Sequence, residues 1–180
     1  MTGNQDGTQK RGGMMGIRER LAERVERLAR LVPGIGSFQD KETRRDADKR
    51  LRLTLADRLD AARKTVETVI AKLQAENHFD PLARLGRLER KLYQAADSIR
   101  FASYGYSGVF DAIKIDEDKL DQLYAFDIAL AESVSAVQEA AENLKAPRPE
   151  AMRADAIEPL EQKIASFNGK LHERMALFRE

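Results

Sequence analysis

Cysteine and tryptophan are absent from this chain, and only two histidines occur. Without cysteine there is no disulfide, no thiolate metal site and no thiol nucleophile. Two histidines leave little imidazole capacity for acid–base work. Neither fits the Glu-x-x-His pairs of di-iron and di-manganese bundles, because Ala75 stands three before His78 and Gly169 three before His172. The phosphate-binding loops fail as well. Gly34-Ile35-Gly36 has no third glycine and no preceding strand, and Gly169-Lys170 is followed by Leu171 where a Walker loop needs Ser or Thr. No apolar run approaches the roughly 20 residues that cross a bilayer. The N-terminus shows no apolar stretch of the kind secretion signals carry. These absences predict a cytoplasmic protein with no metal, no cofactor and no catalytic residues. Carboxylates are plentiful, but nothing in the sequence selects a glycosidase-like pair.

What remains is material for amphipathic helices. Of 180 residues, 42% are hydrophobic and 34% charged, while only 6% are aromatic. That length suits one domain with a real core. The net charge of +1 conceals an asymmetry. Residues 10–52 carry 13 Lys/Arg against 7 Asp/Glu, a net of +6; residues 53–180 carry 18 against 22, a net of −4; Asp6 supplies the remaining −1. The basic stretch could meet an anionic surface or the acidic remainder of the same chain.

Residues 1–16 are Gly-rich, polar and aperiodic, and read as a disordered tail. From there to residue 180 the pattern is helical throughout, a single bundle domain. A first helix over about 17–31 places Ile17, Leu21, Val25, Leu28 and Leu31 on one face, and Pro33-Gly34 ends it. A second, over about 40–76, is the longest at roughly 55 Å. Ser37 or Asp40 can cap it, and its stripe is Ala47, Leu51, Leu55, Leu59, Ala62, Val66, Val69 and Leu73. Residues 77–81 break it. Asp80 as N-cap with Pro81 as first helical residue opens a third helix lined by Leu85, Leu88, Leu92, Ala95, Ile99 and Ala102. A Gly/aromatic segment over 104–115 follows. Asp116 can cap a fourth helix, whose stripe is Leu120, Leu123, Asp127, Leu130, Val134, Val137, Ala141 and Leu144. Pro147 and Pro149 end it. The chain then kinks or restarts at Pro159, and a last helix uses Leu160, Ile164, Phe167, Leu171, Met175 and Phe178. No internal repeat is found. Short connections favour antiparallel neighbours, so the fold expected is an all-α, up-down-up-down bundle of four long helices plus an N-terminal amphipathic helix. Extended coiled coil is the competing architecture, and the Gly/Pro breaks argue against it.

In that topology the third helix returns toward the start of the second but stops short, and the 104–115 segment fills the missing length. The 32–38 loop lies at the same end, here called the base. Two Gly/aromatic loops should therefore converge beside Arg44 and Arg45, with Asp127 on the apolar stripe nearby. The simpler reading is a structural cap in which Phe38, Tyr104, Tyr106 and Phe110 close the core, and Asp127 pairs with an arginine of the second helix because a buried carboxylate needs a partner. The functional reading makes the same seven residues an interaction surface for a protein partner or an anionic ligand.

Two strings carry a resemblance. VPGIGSFQDKETRRDADKRLR (residues 32–52) and FASYGYSGVFDAIKIDEDKLDQLYAFD (residues 101–127) resemble a group of small bacterial all-helical proteins of unknown function. The likeness covers about a quarter of the chain plus the general helix layout. It implies a bacterial origin. It brings no activity, so no catalytic or cofactor residues are carried over.

Arg18, Arg20, Arg24, Arg27 and Arg30 are read as lying opposite the apolar face of the first helix. Docking on the bundle, association with a partner helix and lying on an anionic membrane all suit such a helix. Interleaved Glu19, Glu23 and Glu26 and the lack of Trp or Phe weaken the membrane case. Nucleic-acid binding through 41–52 is disfavoured by Asp46 and Asp48 and by a pI near 7.9. The expected function is a non-catalytic adaptor or scaffold, with a protein partner or as a homo-oligomer. The alternative is a peripheral membrane protein that binds anionic surfaces through residues 17–31.

Overall fold

The computed structural model describes residues 6–35, 41–102, 117–147 and 153–176; over 6–15, 41–45 and 153–154 it describes the backbone only. The described residues form five α-helices and no strand: α1 (Asp6–Leu31), α2 (Lys41–Ala75), α3 (Leu82–Arg100), α4 (Glu117–Asn143) and α5 (Arg153–Ala176). The stripes read from the sequence are the core. Every stripe residue of α2 and α3 is buried, as are the stripe of α4 from Leu123 to Ala141, Leu160, Ile164, Phe167 and Leu171 of α5, and Ala102 and Leu144 just beyond the ends of α3 and α4. Each helix turns one apolar row inward, which is the arrangement that removes the most apolar surface from water.

Helix direction follows from side-chain pairs. Arg52 donates to the Arg100 carbonyl and Arg63 to Glu89, so α2 and α3 run antiparallel. Thr65 donates to Glu142, while Asp48 and Asp127 share Arg174, so α2 and α4 run parallel. Arg84 meets Glu161, which aligns α5 with α3. The principal neighbours are α2·α3, α3·α5, α5·α4 and α4·α2, a closed ring of four, with α1 against α4. Direction therefore alternates from α2 to α5, yet two neighbouring pairs in the ring are parallel, and α1 runs parallel to α4 and so in the same direction as α2. The expectation that neighbours are antiparallel throughout holds only within each helical hairpin, because α4 returns beside α2 and not beside α3.

Several ends differ from expectation. The α1 backbone is helical from Asp6, ahead of the apolar periodicity, because adding residues to a formed helix costs far less than nucleating one. Only residues 1–5 of the expected tail lie outside the described chain. Pro81 is the N-cap of α3 with no side-chain cap bond, one position before the place expected for it, and Asp80 does not cap. Pro159 lies inside α5, which neither ends nor restarts there. Its missing N–H leaves the Asp155 carbonyl without an i+4 partner, and both residues are exposed, so water can serve that carbonyl. The positions proposed as caps at Ser37, Asp40 and Asp116 lie outside the described residues.

The α2–α3 turn has a definite local cause. Asn77 has φ of 60°, its N–H bonds the Gln74 carbonyl, and the His78 N–H bonds the Leu73 carbonyl at 2.8 Å. This is a Schellman closure with asparagine in the left-handed position. After α1, the Ile35 N–H bonds the Val32 carbonyl around Pro33 and Gly34, the latter at φ of 87°. Proline then glycine at the two central positions makes a type II turn.

Candidate functional site

At the base, a buried chain of charges joins three helices. Arg174 of α5 donates from Nε to Asp127 Oδ1 of α4 at 2.5 Å and from Nη2 to Asp48 Oδ1 of α2 at 2.6 Å. Asp48 Oδ2 accepts from Arg52 Nε at 2.8 Å, and Arg52 Nη1 donates to the Arg100 carbonyl at 2.9 Å. Arg174 and Asp127 are each 1% exposed, Asp48 and Arg52 5%. Two carboxylates and two guanidiniums balance in charge. Arg52 also satisfies a last-turn carbonyl of α3, a group the helix itself leaves unbonded. Burial pushes the Asp127 carboxyl up from its ordinary range, and neighbouring Asp48 adds to this, while Arg174 pulls the other way without overcoming burial.

The network sits where α3 ends. Arg100 lies beside Arg52, Asp57 and Asp60, whereas α2 starts back at Lys41. The third helix does stop short, as its stripe predicted. The described part of the 32–38 loop is at this level too, since Arg50 Nη1 donates to the Gly34 carbonyl at 3.0 Å and Val32 and Ile35 are buried.

Asp127 is buried and partnered as the sequence required, but its described partner is Arg174 of the last helix. The link to α2 runs through Asp48, a carboxylate, because the arginine comes from the opposite side of the core. Phe38, Tyr104, Tyr106 and Phe110 lie outside the described residues. Arg44 and Arg45 belong to the first turns of α2, and their side chains are outside the description. Arg174, Asp48 and Arg52 were missed. The signal was present: Arg174 follows Leu171 by three on the α5 stripe, and Asp48 and Arg52 flank Leu51 at i, i+4 spacing.

A second charged region joins α1 to α4. Arg18 meets Glu117 at 3.2 Å, and Arg27 bonds Glu132. Arg24 contacts the Asp121 carboxylate at 3.0 Å and its carbonyl at 2.6 Å, and Arg20 approaches the same carboxylate at 3.9 Å. Arg18, Arg20, Arg24 and Arg27 therefore flank the apolar face, which corrects the expectation that they lie opposite it; Arg30 does lie on the far side, where its Nε donates to the Glu26 carbonyl. At about 100° per residue, Arg20, Arg24 and Arg27 fall on one shoulder of the Ile17–Leu21–Val25–Leu28 row, and Arg18 on the other. Glu19, Glu23 and Glu26 occupy the far, exposed face.

At the opposite end, Val69, Leu73, Leu85, Leu144 and Ile157 line a cleft of about 290 Å³ with Lys72, Glu76 and Lys145 also on its walls. Lys145 is held by both oxygens of Glu142. Among the described residues no helix is long and apolar enough to cross a membrane, and no group of three or more His, Asp or Glu could hold a metal ion. Comparison with family models, curated proteins and solved structures finds no match to this chain.

Proposed function

We propose that the protein is a non-catalytic, cytoplasmic helical adaptor or scaffold that works through contacts of its helix faces at the base, with a protein partner or a second copy of itself. One observation carries this reading. The buried ionisable groups at the base are turned on one another, while large apolar side chains at the same level are turned to water. Phe101 is 58% exposed and Leu53 39%. Leu53 precedes Asp57 by one turn, and Asp57 meets Arg100, which places the two apolar groups at one height. Exposed aromatic and aliphatic side chains beside arginines are the usual makings of a contact surface. The proposed surface extends to Phe38, Arg44, Arg45, Tyr104, Tyr106 and Phe110.

The test compares wild type with the double variant Leu53→Ser, Phe101→Ser. Both are exposed, so the change should leave thermal stability within about 0.5 kcal/mol. Tagged protein from its native host should retain a stoichiometric partner, or sediment as an oligomer, and the variant should lose that association. Identical association by the two proteins, or monomers with no partner in both cases, would sink the reading.

A further inference from the structure

We infer that residues 17–27 of α1 form a releasable arm, clasped in the folded chain by the carboxylates of α4 and taken up instead by an anionic lipid bilayer. This goes beyond the scaffold reading and does not depend on it. Three observations lead here. Burial along α1 is graded: Leu28, Val32 and Ile35 are buried, whereas Ile17, Leu21 and Val25 are only partly so. The forward half therefore adds ion pairs to this partial packing; the Arg24–Asp121 pair is half-sheltered, with side chains 30% and 15% exposed, and the pairs on either side of it are open to solvent. The side chains of Arg18 and Arg27 are 70% and 59% exposed, and their partners Glu117 and Glu132 40% and 43%. Such pairs contribute little each and weaken with salt.

The third observation is the arrangement around the helix. Within residues 17–27 the four arginines flank the apolar row and the three glutamates project from the far side. A helix lying in a membrane interface needs this order: apolar row inward, cations at the shoulders reaching headgroups, acids toward water. The α4 carboxylates occupy the guanidinium donors that lipid phosphates and carboxylates would use, and the two associations are mutually exclusive. Leu28, Val32 and Ile35, together with the turn at Pro33-Gly34, stay in the core as the anchor about which the arm tilts.

Competition predicts that removing the clasp strengthens membrane binding. The full-length variant E117Q/D121N/E132Q is compared with E76Q/E139Q/E173Q, which loses the same charge at exposed carboxylates that are not part of the clasp. Each is sedimented with phosphatidylserine/phosphatidylcholine vesicles and with phosphatidylcholine alone. The clasp variant should bind the anionic vesicles about tenfold more tightly than the control, as a gain of one or two surface-bound arginines implies. No variant should bind neutral vesicles, and adding R18Q/R20Q/R24Q/R27Q should abolish the gain. Should the Asp121 change unfold α4, E117Q/E132Q against E139Q/E173Q asks the same question at exposed positions. Equal binding by clasp and control variants would overturn the inference, as would a gain that survives loss of the arginines.

Discussion

Residues that carry charge decide how the helices of this protein are keyed together. Arg84 reaches Glu161 through both Nε (3.2 Å) and Nη2 (2.7 Å), and this bidentate bond from α3 to α5 holds the Glu161 carboxyl below its ordinary range. A carboxyl whose value is lowered on folding adds stability above the unfolded value of about 4.3, and that stability is lost as pH falls through the lowered folded value. Glu161→Gln should therefore cost about 0.5–1 kcal/mol at pH 7, the range for a well-formed but partly exposed pair. The cost should shrink toward zero as pH falls through the lowered folded value. Denaturant titrations of both proteins across that range check it, and a difference that stays constant into acid would contradict it. Glu142 behaves alike in direction, held down by Lys145 and by the Thr65 hydroxyl. Cross-helix pairs of this kind were not legible in the sequence. Acids and bases alternate on every exposed face, and only the ring order of the helices decides which of them meet.

Elements were far more legible than pairings. Every stripe residue read for α2 and α3 is buried, with Ala56 and Ala96 buried beside them, because an apolar row at helical spacing has one low-energy orientation, toward the core. Helix ends were less so. A proline marks the neighbourhood of a boundary without saying whether it caps a helix, as Pro81 does, or rides inside one, as Pro159 does. The α2–α3 boundary is set instead by backbone conformation at Asn77, where a positive φ suits asparagine and glycine and costs other L-residues about 1 kcal/mol or more. Asn77→Ala should accordingly destabilise the fold by about 1 kcal/mol, and Asn77→Gly should leave it within about 0.5 kcal/mol. Thermal melts separate the two. Equal losses would mean that the asparagine side chain, and not the turn it adopts, closes α2.

At the scale of the whole molecule, the described residues form a closed ring of four helices with a fifth on its flank, and the ring is fastened at the base by ionic contacts across its core. Topology explains what sequence could not specify there. Asp127 announced a buried charge by standing on an apolar stripe, but its partner depended on α5 returning to the base beside α4, with α2 diagonally across the ring. Arg174 then lies between two carboxylates from helices that run parallel, and neither pairing is implied by sequence separation. Such a cluster adds less stability than apolar residues of equal volume could, yet breaking it is costly, because removing one partner leaves buried charge uncompensated. Its consequence is register: α2, α4 and α5 can slide past one another only by unpairing Asp48 or Asp127.

The most direct test is a double-mutant cycle on Asp127→Asn and Arg174→Gln, read by equilibrium unfolding of the full-length chain. Each single change should cost about 3 kcal/mol or more, and the double variant should cost well below the sum, with a coupling of at least about 1 kcal/mol. Costs that add to within about 0.5 kcal/mol would show that the two side chains do not meet in the core, and the fastening at the base would be refuted.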